Sequence, residues 1–528
     1  LGYVVEICGK ICSWNCLNAF LINDLRRLKG GLLNRAWRNS VSQGLSLTGI
    51  QVSSKKIAIS MDISSLARRV FIGSLLFSLL FSCSKKMAPY EPVVIDERDQ
   101  EKSVSSSIAI DKVWAGHPVG FALLTHNHRQ YIAYYNAERR MVVGQRNLDE
   151  ERFELHELPA FTREEGEGTS TILNWDSHNS VTLGIDKKGH IHLSGNMHVH
   201  PITYFKSTSP NDITTLVQEK QMVGFDEDRC TYPNFMTTRE GELIFHYRDG
   251  GSGSGNEIYN RYDTETGKWS RLLDTPLTDG QGEMNAYTSQ PSLGEDDWYH
   301  MYWVWRDTPD CATNHDLSYI KSPDMANWYN AFGEEITLPV TFDQKSVIVA
   351  PVPAGGGIIN LAARLCLDED LNPIMAYHKY DGNGNLQFYV AKIENGAWQH
   401  HQVTDWDYRW EFSGGGSINF DVRVGSFLRR EDGHYELGYE HIKYGNGTIL
   451  LNQDLNPIGE VLKPASVLAK TPLEGKFPGL ELRSAHDLGA SNDGKRYMLK
   501  WETLPRNRDQ PYPEPWPEAS QLCLLELE

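Results

Sequence analysis

With 528 residues the chain can hold one large β domain or two to three ordinary ones. Its net charge of −18 argues against a nucleic-acid partner, although a local arginine can still hold an anionic sugar. Eight cysteines without a CxxC pair signal neither a zinc ribbon nor a disulfide framework, and 14 Trp with 24 Tyr suit either stacking on sugars or a packed all-β core.

In chain order the first feature is MDISSLARRVFIGSLLFSLLFSCSKK at 61–86. Arg68 and Arg69 precede an apolar run from Val70 to Phe81, too short to span a bilayer comfortably, and the run ends at Cys83. The pattern resembles a bacterial lipoprotein signal. It implies lipidation at Cys83, export and a membrane-anchored mature protein, periplasmic or on the outer-membrane surface. Residues 1–60 then lie upstream of a plausible start and outside the mature chain, 61–83 are the signal, and 84–104 are a tether with a ring-closing strand.

From Asp111 onward one pattern recurs, a turn rich in Asp, Gly, Asn or Glu followed by a short alternating strand. The copies lie at 127–137, 187–196, 239–249, 295–307, 369–381, 431–441 and 492–502, with starts 60, 52, 56, 74, 62 and 61 residues apart. Strands this regular, with no long helical pattern between them, point to an all-β, seven-bladed β-propeller over 105–528. SPDMANW at 322–328 and DTETGKW at 263–269 resemble loosened Asp-boxes. The last strand, QLCLLELE, is expected beside an early segment such as EPVVIDE at 91–97, which closes the ring.

The repeated strands end in polar residues where a sheet core wants apolar ones, so they should face a solvent-filled funnel. The first modules crowd His117, His178, His198, His200, Tyr232, His246 and Arg248 on one side. Arg offers a fork for a carboxylate, and Tyr and His move protons. That set suits abstraction of the C5 proton of a uronic acid with loss of the oxygen at C4, a β-elimination. A glycosidase would need two opposed carboxylates, for which Asp176, Asp226, Glu227, Asp228 and Asp249 are at hand. No GxxxxGK[ST] stretch supports phosphoryl transfer, and GGSGSGNE at 250–257 reads as a loop over the funnel.

VWAGHPVGF (113–121), NWDSHNS (174–180), GNMHVHPITY (195–204), TYPNF (231–235) and FHYRDGGSGSG (245–255) together resemble the BNR-repeat seven-bladed propellers that include ulvan lyases and enzymes of rhamnose–glucuronic acid linkages. The resemblance implies a polysaccharide lyase with His178, His198, Tyr232 and Arg248 as catalytic residues. Arg248 would neutralise the uronate, with Tyr232 and one histidine sharing the acid and base roles. A hydrolytic branch resembles an α-L-rhamnosidase acting from the opposite face, where this chain carries Gln145, a residue that does not titrate. A non-catalytic carbohydrate-binding propeller is the third reading.

Around the four catalytic candidates, His117, Asn179, Asn196, His200, His246, Tyr287, Arg306, Arg409 and Trp410 are expected to bind substrate. Trp175, Trp305 and Trp406 are further stacking candidates. No cofactor is needed for the chemistry, but a structural zinc or calcium could sit at Cys311 and His315, four apart in DCATNHD. The expected partner is an anionic polysaccharide or oligosaccharide bound by a monomer.

Overall fold

The computed structural model of the protein describes residues 92–528 apart from 101–102, 160–170 and 492–493. The upstream segment, the signal, Cys83 and residues 84–91 of the tether lie outside the described residues. What is described is mostly β, in several sheets.

The strands group into seven antiparallel units. The first is Ala122–His126, Arg129–Tyr135, Met141–Asn147 and Glu154–Glu157; the second is Val181–Ile185, Ile191–Gly195, Tyr204–Ser207 and Leu216–Glu219. The third is Cys230–Thr237, Leu243–Gly251, Ser254–Asp263 and Lys268–Arg271; the fourth centres on Asn285–Thr288, Tyr299–Arg306, Asn314–Ser322 and Ile348–Ala350. These two join into one ten-stranded sheet through a single parallel register, Gly255 with Asn285. The fifth is Ala363–Leu367, Pro373–Tyr380, Leu386–Glu394 and Ala397–Gln402, and the sixth is Val422–Arg429, Tyr435–His441, Gly445–Leu451 and Pro457–Leu462. The seventh takes Glu481–His486, Arg496–Thr503 and Ser520–Leu527 from late in the chain and Val104–Val113 from early in it.

Each of the seven repeats contributes the second strand of its unit, flanked on both sides by hydrogen-bonded neighbours. Several of the turns that launch them are built by acidic side chains. Asp186 accepts the amides of Lys188 and His190 at 2.9 Å, with Gly189 at φ +86° supplying the left-handed corner. The Asp-box-like turns work in the same way. Asp324 accepts the amides of Ala326 and Asn327, and buried Trp328 closes back on the Met325 carbonyl at 2.9 Å.

The apolar residues of each sheet are buried against neighbouring units. One core joins Leu317 of the fourth unit, Ile374 of the fifth and Leu437 of the sixth, and another joins Ile244 of the third to Trp303 of the fourth. A third core contains Leu499 and Leu522 of the seventh unit, Ile132 of the first and Leu193 of the second, so the seventh packs on the first. The expected partner of the last strand is corrected. Ser520–Leu527 pairs with Val104–Val113, while Val93–Asp96 runs parallel to Pro457–Leu462 at the edge of the sixth unit. Eight paired positions in an antiparallel ladder outcompete the four that the earlier segment makes with its own partner.

Candidate active site

The loop between the first and second units is folded on its own side chains. Asn174 accepts the Asp176 amide and the Asn179 side-chain amide, both at 2.8 Å. Asp176 in turn accepts the His178 amide at 2.9 Å and its Nδ1 at 2.7 Å through one oxygen, and His198 Nδ1 at 2.5 Å through the other. The two imidazoles lie with centroids 4.3 Å apart. Because both Nδ1 atoms face a carboxylate, both rings present Nε2 outward. A second carboxylate reaches His178 from far along the chain, with Asp509 Oδ2 3.2 Å from its Nδ1.

His198 stands on a short strand, His198–His200, that has left its own sheet to pair with Cys230–Thr237. Val199 there has φ +61°, and its amide is taken by Thr231 Oγ1 at 2.8 Å. Opposite it the register slips between Thr231 and Asn234, and Tyr232 adopts φ +56°. For β-branched Val and bulky Tyr this conformation is strained, and a bulge is a device for re-aiming a side chain. Here it turns the Tyr232 ring to 5.7 Å from His178 and 6.5 Å from His198.

Arg248 is 1% exposed, with its guanidinium 4.9 Å from the Tyr232 ring and 5.5 Å from the Tyr287 ring. Its Nε donates to the Gly250 carbonyl at 3.1 Å, and neither Nη1 nor Nη2 has a hydrogen-bond partner. A buried guanidinium with both terminal amino groups unpaired is costly unless an anion completes it. Glu257, opposite Arg248 in the ladder, is buried as well. Tyr287 is flanked on its far side by Arg306, whose Nη1 donates to the phenol oxygen at 3.2 Å.

The electrostatics follow from these contacts. Burial pushes the His178 pKa down, but hydrogen bonds to Asp176 and Asp509 outweigh it and lift it to about 9. Burial raises Asp176, and the two histidines overcome that and hold it well below the carboxylate range. Tyr232 is pushed up by burial, so it keeps its proton. At Tyr287 burial is outweighed by the Arg248 and Arg306 charges, and its pKa is lowered. Burial raises Glu257 to about 7 against the opposing pull of Arg248.

Asp176, His178 and His198 are also the described residues whose donor atoms gather closely enough to hold a metal ion. The donor set does not favour one. Asp176 spends its oxygens accepting from both Nδ1 atoms, and His178 is held protonated. The expected metal pair, Cys311 and His315, is not part of that group. Cys311 packs into an apolar core, while His315 lies 3.0 Å from Asp307 and 3.2 Å from Asp316, held by carboxylates and not by a thiolate partner.

His178, His198, Tyr232, Arg248, Tyr287 and Arg306 thus come together, and several expected substrate contacts do not reach the surface. His117 is buried beside Trp175, accepts the Trp114 indole at 2.9 Å and is held neutral by burial, with a pKa of about 4. Asn179 braces the Asp176 loop, and Asn196 is buried with its amide on the Ile172 carbonyl. His200 accepts the His198 amide at 3.3 Å. His246 stacks on Tyr259, buried and neutral. Arg409 covers the Tyr380 ring and pairs with Glu411, and Trp410 packs on Phe412 and Phe420. Gln145 stands apart, tied to Glu154 and the Ile213 amide. Trp175, Trp305 and Trp406 are likewise packed against other side chains.

Asp509 and Glu257 escaped sequence reasoning. A carboxylate in register with Arg248 is visible only once the ladder is known, and no local pattern marks Asp509. Asp176, two residues before His178, carried the one readable sign, an Asx turn.

The sequence profile of a family described as BNR repeat-containing family member matches residues 129–406, more than half of the chain. An ulvan lyase, short isoform, from Alteromonas sp. (strain LOR) is 27% identical over 143 residues, 23% of this chain and 25% of that protein. An ulvan lyase, long isoform, from Glaciecola sp. (strain KUL10) is 22% identical over 296 residues, 44% of this chain and 28% of that protein. The matches thus span only about a quarter of the length of these relatives. Among solved structures, the polysaccharide lyase Uly1 superposes with a TM-score of 0.51 at 16% identity, covering 84% of this chain and 98% of that one. A PL25 ulvan lyase bound to -[GlcA(1-4)Rha3S]- gives 0.52 at 14% identity, covering 79% and 95%. These likenesses are ones of fold.

Proposed function

The chain belongs to the BNR repeat-containing family, and from that premise we propose that it is a polysaccharide lyase that cleaves a 4-linked glucuronate next to rhamnose by β-elimination. The seven units, packed on one another with the seventh against the first, form in this reading a closed seven-bladed propeller. The observation that carries the reaction is Arg248, whose unpaired Nη1 and Nη2 form a fork suited to a carboxylate beside two imidazoles and a phenol.

Arg248 neutralises the uronate carboxylate and so stabilises the negative charge that develops when the C5 proton leaves. His178, protonated up to about 9, adds a second positive charge and cannot take that proton. The base is therefore His198, its Nε2 turned outward by Asp176. Tyr232 keeps its proton and delivers it to the departing O4. The C5–H and C4–O bonds break, the C4–C5 double bond forms, and both protons are accounted for. The ulvan lyase relatives support this reading, and the rhamnose–glucuronate linkage in the -[GlcA(1-4)Rha3S]- complex of a fold neighbour fits it.

The test is the ultraviolet absorbance of the conjugated alkene when the protein is mixed with ulvan-like or rhamnose-capped arabinogalactan glycans. Free reducing sugar without that absorbance means hydrolysis, and binding alone means a recognition module; either result ends the lyase reading. The Cys83 pattern supports the further proposal that the mature protein is exported and lipid-anchored. Among the described residues no helix is long and apolar enough to cross a membrane.

A further inference from the structure

Glu257 is a buried carboxyl that the proposed reaction does not use, and it stands in register with Arg248 on the neighbouring strand. Residues directly opposite in an antiparallel pair share one face, with Cβ atoms about 5 Å apart. Yet the two side chains do not pair. Arg248 Nε donates to the Gly250 carbonyl at 3.1 Å, and Nη1 and Nη2 have no partner. The stem of Arg248 leans over Gly255, two residues short of Glu257, where an added Cβ would come within 2.9 Å of Arg248 Cγ and Cδ. The bare glycine lets the guanidinium lie against the Tyr232 and Tyr287 rings instead.

Arg248 is the charge that acts on Glu257. His246 and Tyr259 share its face, stacked on each other and both neutral: burial lowers the histidine to about 4 and raises the phenol well above its usual range. From the fourth unit the Thr288 hydroxyl reaches the carboxyl. Arg306 on that side is spent on the Thr308 carbonyl at 3.0 Å and the Tyr287 phenol at 3.2 Å. Leu277 donates its amide to the Glu257 carbonyl at 2.9 Å; beyond it Thr278 is uncharged, and Asp279 is turned onto the Gln281 amide at 2.7 Å.

Glu257 therefore has two tolerable states. With its proton it is a neutral buried group. Without it, it needs Arg248 as counter-ion, because an unpaired buried carboxylate is costly. Burial sets the balance near neutrality, at a pKa of about 7. A second carboxylate arriving at Arg248 would leave the first uncompensated, so both cannot hold the guanidinium at once.

We propose that Glu257 is a positioning residue for Arg248: it leaves the guanidinium free for a uronate carboxylate while it carries its proton, and claims the guanidinium when that proton is lost. That the incoming anion is a uronate rests on the lyase reading above. Binding above neutral pH then draws one proton from solvent onto Glu257, and the site weakens as pH rises although Arg248 itself keeps its charge.

The experiment is calorimetric titration of the full chain and of Glu257→Gln with methyl glucuronide and with methyl glucoside, its carboxyl-free twin, from pH 6 to 8. At pH 8 about one wild-type site in ten would still be protonated, so between those limits the wild type should lose about tenfold more affinity for the glucuronide than Glu257→Gln does. What the histidines contribute is common to both proteins. The glucoside should show no such difference. An equal pH dependence in the two proteins, or the same difference with the glucoside, overturns the proposal. A second readout needs no variant. The infrared band of a buried neutral carboxyl in the wild type should fade between pH 6 and 8 and persist at pH 8 under saturating glucuronide; a band that ignores the ligand overturns the proposal as well. Neither probe carries a sugar at O4, so both readouts report binding. Proton-linked binding without alkene formation from the glycans removes the lyase reading and leaves the role of Glu257 standing, and alkene formation with no such linkage does the reverse.

Discussion

Asp509 Oδ2 stands 3.2 Å from His178 Nδ1, bringing a residue of the seventh unit's long loop onto an imidazole between the first and second units. Asp509 also accepts the Ser177 amide at 3.1 Å, so it fixes the backbone of the histidine loop as well as the ring. It acts through His178 and is a positioning residue. Asp509→Asn keeps the shape and removes the charge. The alkaline limb of the rate profile, set by His178 near 9 in the wild type, should move toward lower pH by about one unit, the size of losing one close opposite charge. NMR titration of the His178 ring checks it; an unmoved limb refutes the assignment.

The same pair makes stability depend on pH. The folded pKa of His178, about 9, lies above its ordinary 6.5, so its contribution is fully present below about 6.5 and is lost as pH rises through about 9. Urea unfolding should show a loss on the order of 1–3 kcal/mol between those limits. In Asp176→Asn the loss should shrink, because the hydrogen bond that raises the pKa most is gone.

Arg248→Ala should lower elimination by about 10²- to 10³-fold, the scale of removing one electrostatic partner of the transition state. Arg248→Lys should not restore it, since an ammonium offers no planar fork. Full rescue by lysine would show that only charge is needed there.

Tyr232→Phe removes the phenol proton and keeps the ring between Arg248 and His178. Turnover should collapse by about 10²-fold or more while oligosaccharide binding and the thermal midpoint hold. Retained turnover would move the acid role elsewhere, with Tyr287 as the next phenol in line, its ring 6.4 Å from Tyr232.

Metabolic labelling with a fatty acid should mark the wild type and not Cys83→Ser, and the labelled form should lack residues 1–60 by mass spectrometry. Equal labelling of both, or none in either, ends the export proposal.

The repeated strands were legible because their determinants are local: an Asp or Gly turn, then alternation, as in DKKGHIHLSG running into Ile191–Gly195. His178, His198, Tyr232 and Arg248 were legible within a larger crowd of titratable side chains, and the family resemblance is what singled them out. Ambiguous side chains could not be placed from the sequence. His117 and Trp410 have the chemistry of sugar contacts, and only packing decides that both are buried. Asp509 and the pairing of the last strand depend on which distant segments meet, and no period or spacing encodes that.

The seventh unit is woven from an early strand, Val104–Val113, and a late one, Ser520–Leu527. On a ribosome the early strand waits without its partner while the intervening units are made, so the seventh unit cannot form until the late strand has emerged. Asp509 lies in the loop just before that late strand. The histidine loop, translated hundreds of residues earlier, acquires its second carboxylate only after that stretch has been made, so the last contact to the imidazole is also the last to be synthesised.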